Sequence, residues 1–533
     1  MLDPVGGWSR IKDFFTTYLE TAFRIADVET ASARRELLAR RDVLATDPFV
    51  EPVLRYVASD RYLEQLIDDD PEGILKPLNR DERVAFVELA LAGLFDSEPA
   101  PAGSELARKS RNRPYLHQVR MLQRGLLPGH PGIVTSGTGS GKTESFMLPT
   151  LAAIASEAAR SWKAPDADYL DDRWFDDDKA DWTARRTGEN RPAAVRALVL
   201  YPMNALVEDQ MVRLRRALDS DAARDVMDRH LGGNRIFFGK YTGETKVTGY
   251  ARHPRRSADP EEKKRRRRRL KELRAAMRQY DQDQNAARAH DAAARARAVA
   301  EGKDAPDPTR FIFPAVDGGE MLSRWDMHAT PPDILVTNAS MLGAMLSREV
   351  EDTIFDQTRD WLLSDENAYF HLIFDELHLI RGSAGTEVSF LVRSLIQRLG
   401  LDRPEHRHKL RILASSASLP MDGEAGHQSR RYLRDLFAPF GTSTGASDEG
   451  SNEEAFWLDC IVPGRPVLPD WDGEKLAPGS FVRLLEAAGG AGAFVAKVPE
   501  RAAGDPDPVL DALRETARAI GVPDDLPKLD LAR

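Results

Sequence analysis

The 533-residue sequence has a single cysteine, Cys460, and lacks any long uninterrupted apolar run. One thiol excludes disulfides within the chain and zinc sites built from several cysteines, and it is typical of a reducing cytoplasm. The most apolar helical stretch, residues 84–95, contains Glu88 and is too short to cross a bilayer. The first residues lack the apolar core of a secretory signal. We therefore expect a cytoplasmic protein with no membrane partner.

Charge is abundant but unevenly distributed. The net charge of −10 argues against a protein coated in nucleic acid, although it leaves room for a local basic groove. The acidic stretch at residues 166–181 is most simply a solvated surface insertion. Residues 251–310 predict a charged helical insertion, because the Arg- and Ala-rich part has no Pro or Gly before Gly302. This insertion is either a solvated arm or a contact to the DNA backbone. With so little apolar surface to bury, deleting residues 261–300 should leave the fold intact.

A glycine-rich turn lies between an apolar run and a helix-like segment. The turn comprises Ser136, Gly137, Thr138, Gly139, Ser140, Gly141, Lys142 and Thr143. Glycine lets backbone N–H groups converge on phosphate oxygens, and the helix that follows adds the positive end of its dipole. Lys142 can reach the β- and γ-phosphates of ATP, and the Thr143 hydroxyl can ligate Mg²⁺. Ser136 stands where such loops usually begin with glycine, and the alternative is a chance Gly-Lys-Thr in a surface turn.

Two carboxylates follow the apolar residues 371–374. Asp375 and Glu376 should lie at the carboxyl end of a buried strand, which is where open α/β sheets bind ligands. There Asp375 can hold Mg²⁺, and Glu376 can polarise the attacking water in phosphoryl transfer.

Hydroxyl and amide side chains accompany these motifs. Ser416 and Ser418 follow the strand-like residues 411–414 and can bond the segment from Asp375 to His378, or else simply end a strand. Upstream of the glycine-rich turn, Gln118 can both donate and accept, which suits the edge of adenine. The alternative for Gln118 is an ordinary polar helix position.

In this order and spacing, the motifs resemble those of superfamily 2 helicases of the DEAD/DEAH-box class. The resemblance implies an α/β fold with a RecA-like parallel sheet flanked by helices, with ATP and Mg²⁺ as cofactors and DNA as the expected nucleic-acid partner. It implies that Lys142, Asp375 and Glu376 are catalytic. It places His378 in the nucleotide site and Thr143 with Asp375 at the metal.

Further motifs of the class are found in the same order. By the resemblance, Ser416 and Ser418 couple the nucleotide site to motion. Other residues of these motifs are implied to contact the sugar-phosphate backbone of nucleic acid. They are Pro202, Asn204, Thr242, Gly243, Thr337 and Asn338.

A narrower resemblance rests on residues 319–327 and 332–338, with a smaller contribution from the opening residues. It is to the large bacterial helicases of anti-phage defence islands, of the Druantia and DISARM types, which are related to mitomycin-repair helicases. One element of complete helicases is missing from the sequence, namely Gln-x-x-Gly-Arg-x-x-Arg, whose arginines complete the ATP site from a second RecA-like lobe. We expect that lobe in a longer chain or a separate subunit, and other defence-system proteins as further partners.

The sequence thus predicts three regions. Residues 1–108 form an N-terminal helical accessory domain, residues 109–420 form the ATP-binding lobe with its insertion at 251–310, and residues 421–533 form a tail that begins the connection to a second lobe. The expected function is an ATP-dependent DNA helicase or translocase in phage defence or DNA repair. Two alternatives stay open, a nucleotide-dependent DNA-binding scaffold without turnover of its own and an RNA helicase.

Overall fold

The computed structural model describes residues 4–40, 43–46, 55–137, 139–166, 170, 172–303, 305–437 and 451–467. Thr138 and most of the predicted tail therefore lie outside the described residues. The chain divides into two compact units, the larger of which is Leu54–Val467. In the other unit, the described elements are helices α1 (Pro4–Ala22) and α2 (Val28–Ala39).

The larger unit is built around a seven-stranded sheet in which every pairing is parallel. The strands, in chain order, are β3 (Gly132–Thr135), β4 (Ala197–Tyr201), β5 (Phe238–Tyr241), β6 (Ile334–Asn338), β7 (Phe370–Phe374), β8 (Leu410–Ser416) and β9 (Ile461–Pro463). Across the sheet their order is β5-β6-β4-β7-β8-β3-β9. A separate antiparallel hairpin joins β1 (Ser97–Pro99) to β2 (Arg108–Ser110).

Helices cover both faces of the sheet. They are α3 (Arg80–Gly93), α4 (Leu116–Leu126), α5 (Lys142–Ser161), α6 (Asn204–Leu218), α7 (Asp221–His230), α8 (Pro260–Glu301), α9 (Arg324–Ala329), α10 (Ala339–Ser347), α11 (Asp352–Ser364), α12 (Gly382–Arg398), α13 (Gly423–Phe437) and α14 (Ser451–Asp459). Short 3-10 turns span Leu63–Ile67, Trp174–Asp176, Thr309–Ile312, Glu349–Glu351, Leu377–Leu379 and Arg407–Lys409. None of the helices in the described ranges combines the length and the apolarity that a membrane span requires.

The core has two layers because successive residues of a strand point to opposite faces of a sheet. In β4, Val199 packs with α3 and α5 in one layer, whereas its neighbours Leu198 and Leu200 pack in the other. Both layers are apolar, which is why these strands have continuous hydrophobic sequences.

The predicted parallel α/β sheet flanked by helices is confirmed. Apolar runs that predicted strands coincide with β3, β4, β6, β7 and β8. Strand β9 was missed, because three residues in a polar region give no periodic signal. The predicted domain boundaries at residues 108 and 420 stay predictions.

The charged insertion does contain a helix, the 42-residue α8, but the expectation that it offers little apolar surface is wrong. Leu273 and Met277 are buried in a cluster with Phe175, Val316 and Trp325. Because the helix contributes to a core, deletion of residues 261–300 would expose that cluster rather than leave the fold intact.

The acidic stretch is not simply a solvated insertion either. Its carboxylates face the basic side chains of α8, with Asp181 at 2.5 Å from Arg266 and Asp178 at 2.9 Å from Arg278. Two segments of opposite charge, far apart in sequence, therefore neutralise each other where they pack.

One buried carboxylate joins the amino-terminal ends of three neighbouring strands. Asp333, directly before β6, is fully buried and accepts from Arg191 and Arg196 at 2.7 Å each. It also accepts the N–H of Phe237, directly before β5, at 2.7 Å. Burial by itself raises the pKa of Asp333, but Arg191, Arg186 and Arg196 outweigh it and hold that pKa well below its usual range.

Replacing this carboxylate should destabilise the larger unit strongly. Asp333→Asn leaves buried guanidinium groups without their counter-charge, which costs about 3–5 kcal/mol. Asp69→Asn is a matched control, because Asp69 pairs with Arg61 at 2.8 Å on the surface and such pairs contribute at most about 1 kcal/mol. Denaturant unfolding followed by circular dichroism measures both, and similar losses for the two variants would contradict this role for Asp333.

Candidate functional site

The glycine-rich turn connects β3 to α5, as the sequence predicts. Gly139 and Gly141 have φ of 73° and 72°, a left-handed backbone that residues with a side chain rarely adopt. At Gly141 a Cβ would also lie only 2.1 Å from Nε2 of Gln118. These glycines therefore fix the path that brings Lys142 to the first position of α5.

Hydroxyl groups close the turn from within. The Oγ atoms of Ser136 and Ser140 lie 2.6 Å apart, and Ser140 Oγ donates to the carbonyl of Gly137 at 2.8 Å. Ser136 thus uses the side chain that a glycine at this position would lack to tie the two ends of the loop together.

Residues upstream of β3 support the turn from outside. The Tyr56 hydroxyl accepts the N–H of Gly137 at 2.8 Å, and His117 Nε2 lies 2.8 Å from the Ser140 carbonyl. Burial lowers the pKa of His117, so the ring is neutral near pH 7 and donates to that carbonyl. Gln118 donates to the carbonyl of Gly141 at 3.1 Å. The sequence interpretation missed Tyr56 and His117 as supports of the turn, and its assignment of Gln118 to the edge of adenine stays a prediction.

Lys142 faces a carboxylate from the next motif. Its Nζ lies 3.3 and 3.4 Å from the two carboxylate oxygens of Glu376, which follows β7. Glu376 has φ of 51°, an unusual value for a residue with a side chain and one that is common at functional sites. The His378 ring extends this cluster, with Nδ1 at 3.3 Å from Glu376 Oε2.

Asp375 is mostly buried at the end of β7. Burial raises the pKa of this carboxyl, while the hydrogen bond that the Ser415 hydroxyl donates to Oδ1 opposes the rise. Oδ1 also accepts the N–H of Glu376 at 3.0 Å. The two predicted carboxylates are thus held in fixed and different environments.

The end of β8 and the residue that follows it contact Asp375 and His378 through groups other than the predicted ones. Ser415 rather than Ser416 reaches Asp375, and the backbone N–H of Ala417 donates to His378 Nδ1 at 3.3 Å. Ser416 Oγ donates to the carbonyl of Ser418 at 3.2 Å. The Ser-Ser-Ala-Ser sequence signals hydroxyls here, but only the register of β8 against β7 selects Ser415.

Helix α6 reaches the turn from the other side. Gln210 Nε2 donates to Thr143 Oγ1 at 3.0 Å, and Arg213 donates to the same oxygen at 3.2 Å. Arg213 also lies 3.8 Å from Glu144. The hydroxyl predicted to ligate Mg²⁺ is therefore linked to a helix that begins at Asn204.

The residues predicted to contact nucleic acid meet at adjacent carboxyl ends of β5, β6 and β4. Asn338 donates its side-chain N–H to the side-chain oxygen of Asn204 at 2.6 Å, which joins the ends of β6 and β4. The side chain of Thr337 is buried and donates to the carbonyl of Tyr241 at 2.6 Å. Thr242 is buried as well, whereas Gly243 is exposed and faces open space.

Pro202 is half-buried between β4 and α6. With Asn204, Gly243 and Asn338 it leaves short polar and backbone groups along this edge of the sheet, which we call the β5-β6-β4 edge.

The donor set fits magnesium. Thr143 and Asp375 offer hard oxygen ligands, and Mg²⁺ is commonly bound by one or two carboxylates together with phosphate oxygens and water. Among the described residues, no group of three or more His, Cys, Asp or Glu side chains is arranged to hold a metal alone. A metal here would therefore depend on a bound phosphate.

Comparison with known proteins connects this site to helicases. A family model described as DEAD/DEAH box helicase matches residues 115–238, which include the glycine-rich turn and β4. Druantia protein DruE of Escherichia coli (strain UMEA 4076-1) is 30% identical over 443 residues. That alignment covers 79% of this chain but only 20% of DruE, so the chain spans about a fifth of that relative.

Two solved helicase structures also match. The DUF1998 helicase MrfA is 17% identical, with a TM-score of 0.28, over 60% of this chain and 29% of the other. Mycobacterium smegmatis helicase Lhr, solved with ssDNA and AMP-PNP, is 16% identical, with a TM-score of 0.33, over 78% of this chain and 33% of the other.

Substitution of Ser415 and of Ser416 tests which of the two hydroxyls supports nucleotide binding through Asp375. Ser415→Ala removes a hydrogen bond to a buried carboxylate, which is worth about 1.5–3 kcal/mol, so Mg²⁺-dependent nucleotide affinity should fall by at least about tenfold. Ser416→Ala is the matched control and should change affinity little. Calorimetric titration with MgADP measures both, and equal affinities for the two variants would assign no special role to Ser415.

Proposed function

We propose that this chain, which contains a DEAD/DEAH box helicase domain, binds MgATP at Ser136–Thr143 and is the ATP-binding lobe of a DNA helicase or translocase. The observation that carries the proposal is the meeting of two motifs distant in sequence. Lys142 lies 3.3 Å from Glu376 across the space between the end of β3 and the end of β7. Phosphoryl transfer requires mainly such positioning and charge neutralisation.

The roles of the residues follow from their positions. Lys142 would exchange its contact with Glu376 for the β- and γ-phosphates, because a phosphate carries more charge than a carboxylate. Thr143 and Asp375 would hold Mg²⁺, which when bound neutralises charge on the phosphates. Once Lys142 is drawn away, Glu376 is free to orient and polarise a water molecule, with the His378 ring 3.3 Å from its Oε2.

Space for the nucleoside lies next to the turn. A cavity of about 690 Å³ is bordered by Tyr56, Tyr62, Tyr115, Gln118 and Glu144, among others. Aromatic faces with a few polar groups suit a planar base, so this cavity supports placing the adenine here.

Helix α6 supports a coupling between nucleotide and nucleic acid. It begins at Asn204 on the β5-β6-β4 edge and bonds Thr143 through Gln210 at 3.0 Å. A shift in the position of Thr143 on nucleotide binding would therefore be transmitted to Asn204 through one rigid helix. Backbone and amide groups on that edge suit phosphates without reading bases.

Identity of 30% to DruE over 443 residues supports a place in bacterial phage defence, with DNA repair as the related alternative. Because only 20% of DruE is covered, the activity and partners of a whole protein of that kind are proposals here. The proposed partners are DNA, a second RecA-like lobe and other defence proteins.

Two substitutions separate binding from turnover. Lys142→Ala should abolish measurable MgATP binding because it removes the charge that faces the phosphates. Glu376→Gln should keep binding yet block turnover, because Asp375 and Thr143 stay available to the metal. Calorimetry and phosphate release measure these effects, with Lys303→Ala, a mostly exposed lysine, as the control. Wild-type affinity in Lys142→Ala would refute the nucleotide site.

The isolated 533-residue chain should turn ATP over very slowly. An arginine that completes the site typically adds roughly three to five orders of magnitude in rate, and the sequence lacks the element that supplies it. A partner with a second lobe should restore turnover, stimulated more by DNA than by RNA. Robust turnover by the chain alone would contradict this expectation. Stronger stimulation by RNA than by DNA would favour an RNA helicase. If ATP were not turned over even with the partner present, a scaffold without turnover of its own would be favoured.

A further inference from the structure

The first part of α8 and the segment before it form the most basic stretch of the sequence. Residues 251–271 contain eleven Lys and Arg against three Asp and Glu, a net charge of +8 in a chain whose net charge is −10. Some of these positive charges form ion pairs and hydrogen bonds within the fold, and others are exposed to solvent.

One face of α8 uses its arginines for packing. Arg266 pairs with Asp181 at 2.5 Å, Arg274 donates to the carbonyl of Ala180 at 2.6 Å, and Arg278 donates to the carbonyl of Phe175 at 2.7 Å. Leu273, on the same helix, is buried in the cluster with Phe175 and Trp325. The charges of the three arginines are therefore committed to holding α8 on the larger unit.

The opposite face is basic and free of such packing. Lys264, Arg267, Arg268 and Lys271 are all exposed and follow an i, i+3, i+4, i+7 spacing, which places them on one side of the helix. We call them the basic face. Among the described residues, Arg268 alone of the four has an ion pair, a 3.6 Å contact to Glu272, which is exposed as well.

The segment between β5 and α8 connects the basic face to the β5-β6-β4 edge along the chain. The chain leaves β5 at Thr242 and Gly243 and then forms the segment on which α8 packs. Arg266 donates to the carbonyl of Ala251 at 2.6 Å, and Trp325 donates to the carbonyl of Gly249 at 3.0 Å, so this segment is fixed to the body. The exposed Arg256 lies in the same connection and adds to its charge.

We propose that the basic face binds the phosphate backbone of DNA, as an extension of the β5-β6-β4 edge. The inference rests on the proposed function. The four side chains span about 10 Å along the helix axis, a length over which one strand of B-form DNA presents about three phosphates. An acidic protein partner fits less well, because protein interfaces have an apolar or aromatic centre and the basic face has none.

Salt dependence distinguishes this contact. The test variant carries two substitutions, Arg267→Gln and Arg268→Gln. Its control carries Arg295→Gln and Arg297→Gln, which change the same residue types and the same charge at exposed positions near the other end of α8. Each lost phosphate contact makes the slope of log K against log salt shallower by about 0.9. The first variant should therefore lose about 1.8 from the slope measured for wild type by fluorescence anisotropy with labelled duplex DNA. Between about 0.05 and 0.2 M salt, wild type should lose about tenfold more affinity than this variant.

The control variant should keep the wild-type slope, and both variants should show the wild-type circular dichroism and melting temperature. The proposal would be overturned if all three proteins had the same slope, or if the two variants lost the same amount of slope. In either case, DNA binding by wild type would still support the proposed function. If wild type bound no DNA with or without MgATP, the proposed function would fail together with this one. The proposal would also be overturned if wild type bound polyglutamate more tightly than DNA and only the Arg267→Gln/Arg268→Gln variant lost that binding. The basic face would then be assigned to an acidic protein partner.

Discussion

The charge network around Asp333 sets the alignment on which the candidate site depends. Parallel strands have no tight turns to fix their register, so something at one end must hold them together. Here a fully buried carboxylate before β6 binds Arg191, Arg196 and the N–H before β5. With the amino-terminal ends fixed, the carboxyl ends of β4, β5 and β6 meet at the opposite side, where Asn204 and Asn338 touch.

Around the candidate nucleotide site, several stabilising contacts come from residues that have no proposed contact with phosphate or metal. Tyr56 and His117 hold the backbone of the glycine-rich turn, Ser415 holds Asp375, and Gln210 holds Thr143. Such supporting contacts limit the motion of the groups that would meet phosphate. The geometry is thus organised before binding, which lowers the free energy needed to assemble the site.

Local signals in the sequence were enough for β3, β4, β6, β7 and β8, the turn and the carboxylate pair, because each depends on residues close together in the chain. They did not reveal Ser415 as the partner of Asp375, since that depends on the pairing of Phe374 with Ala414 across two strands. The same reason explains why neither the acidic stretch nor the insertion that contains α8 was expected to pack inside the fold. Each looked unpartnered by itself, and Asp181 finds Arg266 only through the tertiary fold.

Strand β9 links the glycine-rich turn to the last described residues of the chain. It pairs with β3, and the N–H of Gly464 donates to the carbonyl of Thr135, the residue before the turn, at 2.7 Å. Beyond it, Val467 donates to Arg55, next to the Tyr56 that holds Gly137. A force applied at Val467 would therefore act on β3 and on the segment that contains Tyr56 together, and it would change the shape of the glycine-rich turn.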